Sequence, residues 1–141
     1  MTNQLNAWVV DDDEIYKFTV LKSLESLNLP LNLITFPDGE KAFNAIQDNL
    51  TDGAKLPDII FLDIEMPIMD GFLFIEEFLK VKSKISKQIE IYMVSSSLDP
   101  KDIQRAKNIG AIKDYIIKPV AASSFKIIMN SFFENRNCFN K

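Results

Sequence analysis

The chain has 141 residues, 47% of them hydrophobic, with a net charge of −4 and a pI near 4.8; that is enough for one packed domain and the wrong sign for nonspecific nucleic-acid binding, which needs a basic face. A single cysteine, Cys138, excludes an intrachain disulfide framework and suits a reducing compartment, while the lack of any histidine excludes Ser-His and Cys-His nucleophile pairs and zinc sites that depend on imidazole. The start Met1-Thr2-Asn3-Gln4 has no basic or apolar leader character and no apolar run reaches membrane-spanning length, so the sequence predicts a cytoplasmic protein that does not engage a membrane.

Strand-like and helix-like segments alternate along the chain. Leu5 to Val10 reads as the first strand and is followed by Asp11-Asp12-Asp13. Helical spacing then links Ile15, Phe18, Leu21, Leu24 and Leu27, ending before Pro30. A short strand from about Leu31 to Phe36 runs into Pro37-Asp38-Gly39, which turns the chain into a helix carrying Ala42, Phe43, Ile46 and Leu50. The polar stretch Asn49 to Asp58 reads as a loop, and Ile59 to Leu62 as the most clearly buried strand. Pro67, Asp70 and Gly71 shape a loop before a helix with Phe72, Ile75, Phe78 and Leu79. Lys80 to Gln88 is a lysine-rich connection to a fourth strand, Ile89 to Val94. Asp99-Pro100 has the form of an N-cap with proline at the first helical position, and the short polar helix after it turns Ile103 and Ala106 inward and stops at Gly110. Asp114 to Ile117 is the fifth strand. The last helix has the strongest period, with Phe125, Ile128, Met129, Phe132 and Phe133 on one face, and the polar tail from 135 to 141 is expected to fray. Five such βα units predict a parallel sheet with helices on both faces.

Parallel strands end at one edge, where open α/β sheets bind ligands. Asp11, Asp12 and Asp13, then Asp63, Ser95 and Lys118, each follow an apolar run and therefore gather there. One helix cap needs one side chain, so at least two of the first three acids crowd together and repel. A bound cation relieves that repulsion, and Mg2+ suits an all-oxygen site that keeps room for water and a phosphate oxygen. Two acids of the triplet plus Asp63 carry three negative charges, which Mg2+ and Lys118 together neutralise. Such a site tolerates an incoming phosphoryl group. Asp63 is then the nucleophile, as carboxylates are where aspartyl-phosphates form, and Ser95 supplies a hydroxyl donor. The Lys118-Pro119 bond adopts the cis form more easily than most, and Asp13 is read as the cap of the first helix.

The acidic cluster, Asp63-Ile64-Glu65-Met66-Pro67-Ile68-Met69-Asp70-Gly71, Ser95, and Tyr115-Ile116-Ile117-Lys118-Pro119 together resemble the receiver domain of two-component response regulators, over about residues 5 to 133. The resemblance implies a single domain over 1–141 with a flavodoxin-like, doubly wound (βα)5 fold and strand order 2-1-3-4-5. It implies that Asp63 is the phosphoacceptor, charged from a phosphohistidine of a sensor kinase or phosphotransfer protein. Asp12 is then the direct Mg2+ ligand beside Asp63, Asp11 acts through water, and the Glu65 backbone carbonyl completes the protein ligands. Ser95 matches the switch hydroxyl, Lys118 the phosphate-contacting lysine and Tyr115 the aromatic switch. Glu65 and Ser97, two residues beyond Asp63 and Ser95, match positions that tune dephosphorylation.

The implied role is signalling in the cytoplasm. Such a chain is not an enzyme beyond its own phosphorylation and dephosphorylation, and no residue is assigned to an organic cofactor. With no further domain after the last helix, the sequence predicts a stand-alone receiver whose output is a downstream protein target, and a phosphorylation-dependent homodimer is left open. The alternative is a haloacid-dehalogenase-like, Mg2+-dependent phosphatase, which also uses an aspartate nucleophile and a lysine; it needs a late acidic pair, and none follows Lys118. A flavodoxin-like FMN carrier lacks its phosphate cradle, because the turn after Val10 is acidic.

Overall fold

The computed structural model describes residues 4–139, with side chains described as far as Glu134. Its elements are β1 (Leu5–Val10), α1 (Glu14–Glu25), β2 (Leu31–Phe36), α2 (Gly39–Gln47), β3 (Ile59–Leu62), α3 (Gly71–Val81), a 3-10 turn (Lys82–Lys84), β4 (Glu90–Ser95), α4 (Pro100–Lys107), β5 (Ile112–Ile117) and α5 (Ala122–Phe139). The strands pair in parallel in the order β2-β1-β3-β4-β5. This is the doubly wound order expected from the resemblance.

The central strands are buried along their whole length: every residue of β1 and β3 is buried. That is why they read as apolar runs rather than alternating ones, broken only by Asn6 near the start of β1. Successive side chains still point to opposite faces. Trp8, Val10, Ile60 and Leu62 pack under α2, α3 and α4, against Phe43, Phe74 and Ala106. Ala7, Val9, Ile59 and Phe61 pack under α1 and α5, against Val20, Leu24, Phe125 and Met129. Each face therefore has its own core, and the two share the sheet.

Several boundaries differ from those the sequence suggests. β4 and β5 each include residues that their apolar content does not mark, Ser95 at one end and Ile112-Lys113 at the other; a register shift between Ile91 and Tyr92 accommodates the longer β5. α4 stops at Asn108, whose N–H bonds to Gln104 O, and no glycine among the described residues has positive φ, so Gly110 is not the helix stop. α5 continues to Phe139, so the backbone from 135 to 139 is helical; residues 140 and 141 lie outside the described residues. On α1 the buried residues are Lys17, Val20 and Leu24, whereas Ile15 and Phe18 are exposed. The stem of buried Lys17 takes the inner face there instead. No helix among the described residues is long and apolar enough to cross a membrane.

The β3–α3 loop is built tightly around the end of β3. A Cβ on Gly71 would lie 2.4 Å from the Asp63 carbonyl oxygen, and one on Gly39 would lie 2.6 Å from Met69 O. Only glycine lets the first turns of α2 and α3 approach the loop this closely. Between them Ile68 has φ 70 and is 70% exposed, a β-branched residue in a left-handed conformation that is costly for it. Met69 N–H donates to Pro67 O at 2.7 Å across this residue, a strained γ-turn, and Ile68→Gly, which has no Cβ to clash there, is expected to raise stability by about 1 kcal/mol. Urea denaturation measures this, and an unchanged or lowered midpoint would contradict it.

Candidate functional site

Backbone hydrogen bonds fix the strand ends that carry the acids and the lysine. Asp11 N–H donates to Phe36 O at 3.0 Å, Asp63 N–H to Val10 O at 2.9 Å and Lys118 N–H to Ser95 O at 2.9 Å. Asp11, Asp12 and Asp63 come together, each with a carboxylate oxygen within 4.8 Å of the others. Asp11 and Asp63 are buried and Asp12 is exposed. Lys118 Nζ lies 2.7 Å from Asp11 Oδ2 and 3.5 Å from Asp63 Oδ1, and the Lys118-Pro119 bond is cis. Asp13 stands apart in role: its side chain accepts the Tyr16 N–H at 3.0 Å and caps α1, while its own N–H donates to Asp11 Oδ1 at 2.9 Å. The carboxylates open into a cleft of about 680 Å³, which Glu65, Ser96 and Lys118 also line.

Burial, and secondly the charge of Asp11, push the Asp63 carboxyl up from 3.8 to about 6; Lys118 and the Ile64 N–H pull it back only in part. Among the described residues this is a concentration of negative charge with one adjacent cation. The donor set is all oxygen. Both Asp11 oxygens are engaged, one by Asp13 N–H and one by Lys118. Asp12, the exposed member, offers the most available oxygens, and a hard divalent cation fits the set it makes with Asp11 and Asp63.

Ser95 is buried and does not line the cleft; its Oγ accepts the Ser97 N–H at 3.1 Å. Ser97 is the centre of a small network. Its carbonyl accepts the Tyr115 hydroxyl at 2.9 Å, its Oγ donates to Asp102 Oδ2 at 2.7 Å, and the same Oγ accepts Asp99 N–H at 3.2 Å. Tyr115 is half-buried against the α2–α4 core. Ser97 thus points into α4, and the residue of this loop that lines the cleft is Ser96.

The family model for the response regulator receiver domain matches residues 7–130. The chain belongs to that family. This receiver is 30% identical over 134 residues to a two-component response regulator of Arabidopsis thaliana, covering 90% of this chain and 20% of that protein. It is 36% identical over 115 residues to a protein-glutamate methylesterase/protein-glutamine glutaminase of Azospirillum brasilense, covering 80% and 26%. The receiver therefore spans about a quarter or less of the length of these two relatives. Among solved structures it is similar to a two-component response regulator from Cytophaga hutchinsonii, with TM-score 0.79, 25% identity and coverage of 92% and 96%. It is also similar to a chain of the CheX-CheY-BeF3-Mg complex from Borrelia burgdorferi, with TM-score 0.73, 25% identity and coverage of 92% and 89%. The family match leaves the haloacid-dehalogenase-like reading without support.

One neighbour of the receiver site carries no signal in the sequence. Tyr16 lies in the first turn of α1, and Lys118 Nζ sits 4.1 Å from the centroid of its ring. Burial and the charges of Asp11 and Asp63 raise its phenol well above the ordinary tyrosine range, so it is neutral at physiological pH. A lone aromatic after an acidic triplet looks like any helix residue; only the packing of α1 against the end of β5 brings it to the lysine.

The raised Asp63 value has a consequence for stability. The folded state holds this proton more tightly than the unfolded chain, so stability falls as pH rises from about 4 to 6 and the full penalty applies above that. Removing the charge with Asp63→Asn is expected to stabilise the metal-free protein by about 1–2 kcal/mol at pH 7.5, a value discounted for solvent screening at the open cleft. The gain should shrink as pH approaches 4. Thermal or urea denaturation at both pH values reads this, and a destabilised Asn variant at pH 7.5 would contradict it.

Proposed function

We propose that Asp63 accepts a phosphoryl group from a phosphohistidine on a sensor kinase or phosphotransfer protein, and that the change is read by a downstream protein. One observation carries the reading: the buried Asp63 carboxylate shares a cleft with Asp11, Asp12 and the Lys118 ammonium. In the reaction a carboxylate oxygen of Asp63 attacks phosphorus, the P–N bond to the donor imidazole breaks, and the imidazole leaves as the neutral ring after taking a proton. Lys118 donates to the phosphoryl oxygens and Ser95 turns its hydroxyl toward them. Asp12 and Asp63, with the backbone carbonyl of Glu65, would hold Mg2+, and Asp11 would reach it through water. When bound, Mg2+ supplies positive charge to the transferring group. The similar chain from Borrelia burgdorferi was solved in a complex with BeF3 and Mg, which supports the assignment.

Once Ser95 Oγ turns to the phosphoryl group, the Ser97 N–H loses its acceptor. The Ser97 carbonyl and hydroxyl hold Tyr115 and Asp102, so the loop, the aromatic ring and the first turn of α4 move together. α4 has a single buried residue, Ala106, and a helix so lightly anchored responds to a small bias. The receiver is an acceptor rather than a turnover catalyst in this scheme.

Incubation with Mg2+ and a small-molecule phosphodonor, followed by intact mass, is expected to add one acid-labile phosphoryl group. Asp63→Asn should abolish the gain, and Glu65→Ala at the cleft should alter the decay rate of the phosphorylated form. An undiminished gain in the Asn variant would overturn the assignment of Asp63; identical decay in Glu65→Ala and parent would remove Glu65 from the hydrolytic step.

A further inference from the structure

The Lys118 ammonium has three close neighbours. Two are carboxylates, Asp11 at 2.7 Å and Asp63 at 3.5 Å. The third is the ring of Tyr16, with the ammonium over it at 4.1 Å from the centroid. Tyr16 is itself held on two sides. Its N–H is bonded to the capping carboxylate of Asp13, whose own N–H is bonded to Asp11, so the backbone that carries the ring is tied to the acidic loop. Its side chain packs against the core between the sheet and helices α1 and α5.

A lysine stem is long and rotamer-rich, and holding its head in one place is entropically costly. Here the contact to Asp11 is the shorter one, so the carboxylates alone favour the side of the cleft away from Asp63. An aromatic face attracts a cation without accepting a conventional hydrogen bond from it. It can therefore restrict the ammonium while leaving N–H donors free for oxygen ligands.

We propose that Tyr16 is a positioning residue of the phosphoryl-transfer site: its ring face holds the Lys118 ammonium between Asp11 and Asp63, with donors directed at the place where phosphoryl oxygens arrive. This rests on the reading of Asp63 as the acceptor. The effect is exerted through Lys118 and needs the ring, not the hydroxyl.

The test is a double-mutant cycle on the rate of phosphorylation by a small-molecule phosphodonor with Mg2+. Tyr16→Leu keeps apolar bulk and removes the π face; Tyr16→Phe keeps the face. Tyr16→Leu is expected to slow the reaction about tenfold, the scale of a partly desolvated cation–π contact, and Tyr16→Phe by less than about twofold. In a Lys118→Met background Tyr16→Leu should cause no further slowing. Equal slowing in both backgrounds, or a Phe variant as slow as the Leu variant, would overturn the proposal. Proton NMR of the parent gives a second reading that needs neither a variant nor phosphorylation. The Lys118 Cε protons should be displaced upfield by the Tyr16 ring, and unshifted signals would overturn the contact itself. A parent that takes up no phosphoryl group removes the acceptor reading, while the NMR signal still decides whether the ring holds the lysine.

Discussion

Three carboxylates and one ammonium meet at the C-terminal edge of the sheet, and the imbalance between them is the constraint that the surrounding structure serves. Like charges placed this close are unfavourable unless a cation joins them, yet β1 and β3 hold Asp11 and Asp63 side by side through Asp63 N–H to Val10 O. The strands can impose this because they are the most deeply buried elements of the fold. Gly71 lets α3 begin directly against the Asp63 backbone. The opposite edge of the sheet is polar too, but balanced. There Asp58 accepts the Asn6 N–H at 2.8 Å and pairs with Lys87 at 3.0 Å, and the Asn6 amide donates to Ala54 O and Leu56 O. One edge is closed by satisfied partners and holds the strands together; the other is left with surplus negative charge and an open cleft.

The same contrast separates rigid from movable parts. α2 and α3 present several buried aromatic and aliphatic side chains to the sheet. α4 presents Ala106, and is otherwise held by polar contacts: Ser97 to Asp102, Arg105 over the Phe72 ring at 4.1 Å, and Arg105 to Glu76 at 3.6 Å. Hydrogen bonds and exposed ion pairs contribute little net stability each. A segment held in this way can exchange one set of partners for another at small cost, and its link to the buried Ser95 hydroxyl runs through Ser97, two residues on.

Most of the fold was legible because burial leaves a strong mark on composition. β3 is an unbroken apolar run, β1 is one from Ala7 to Val10, and α5 repeats its apolar residues at helical spacing, so their places follow directly. The caps at Asp13, Asp38, Asp70 and Asp99 lie where short polar residues precede helical patterns. What stayed hidden depended on tertiary placement. Ile15 and Phe18 fit an apolar stripe but face outward, since the stem of buried Lys17 occupies the inner face instead. Tyr16 and Ser96 have no distinguishing neighbours in the sequence, and their place at the cleft comes from how α1 and the β4–α4 connection pack. Asp11, Asp12, Asp63 and Lys118 were legible as a group because each terminates an apolar run.

The crowding of charge around Asp63 is most directly tested by its own titration. Carbon NMR of the Asp63 carboxyl in the metal-free protein is expected to give a midpoint of about 6, moving downward when Mg2+ is added, because a nearby cation favours the ionised form. A midpoint near the ordinary aspartate value of about 4, unmoved by Mg2+, would contradict a buried, charge-crowded carboxylate prepared for a cation.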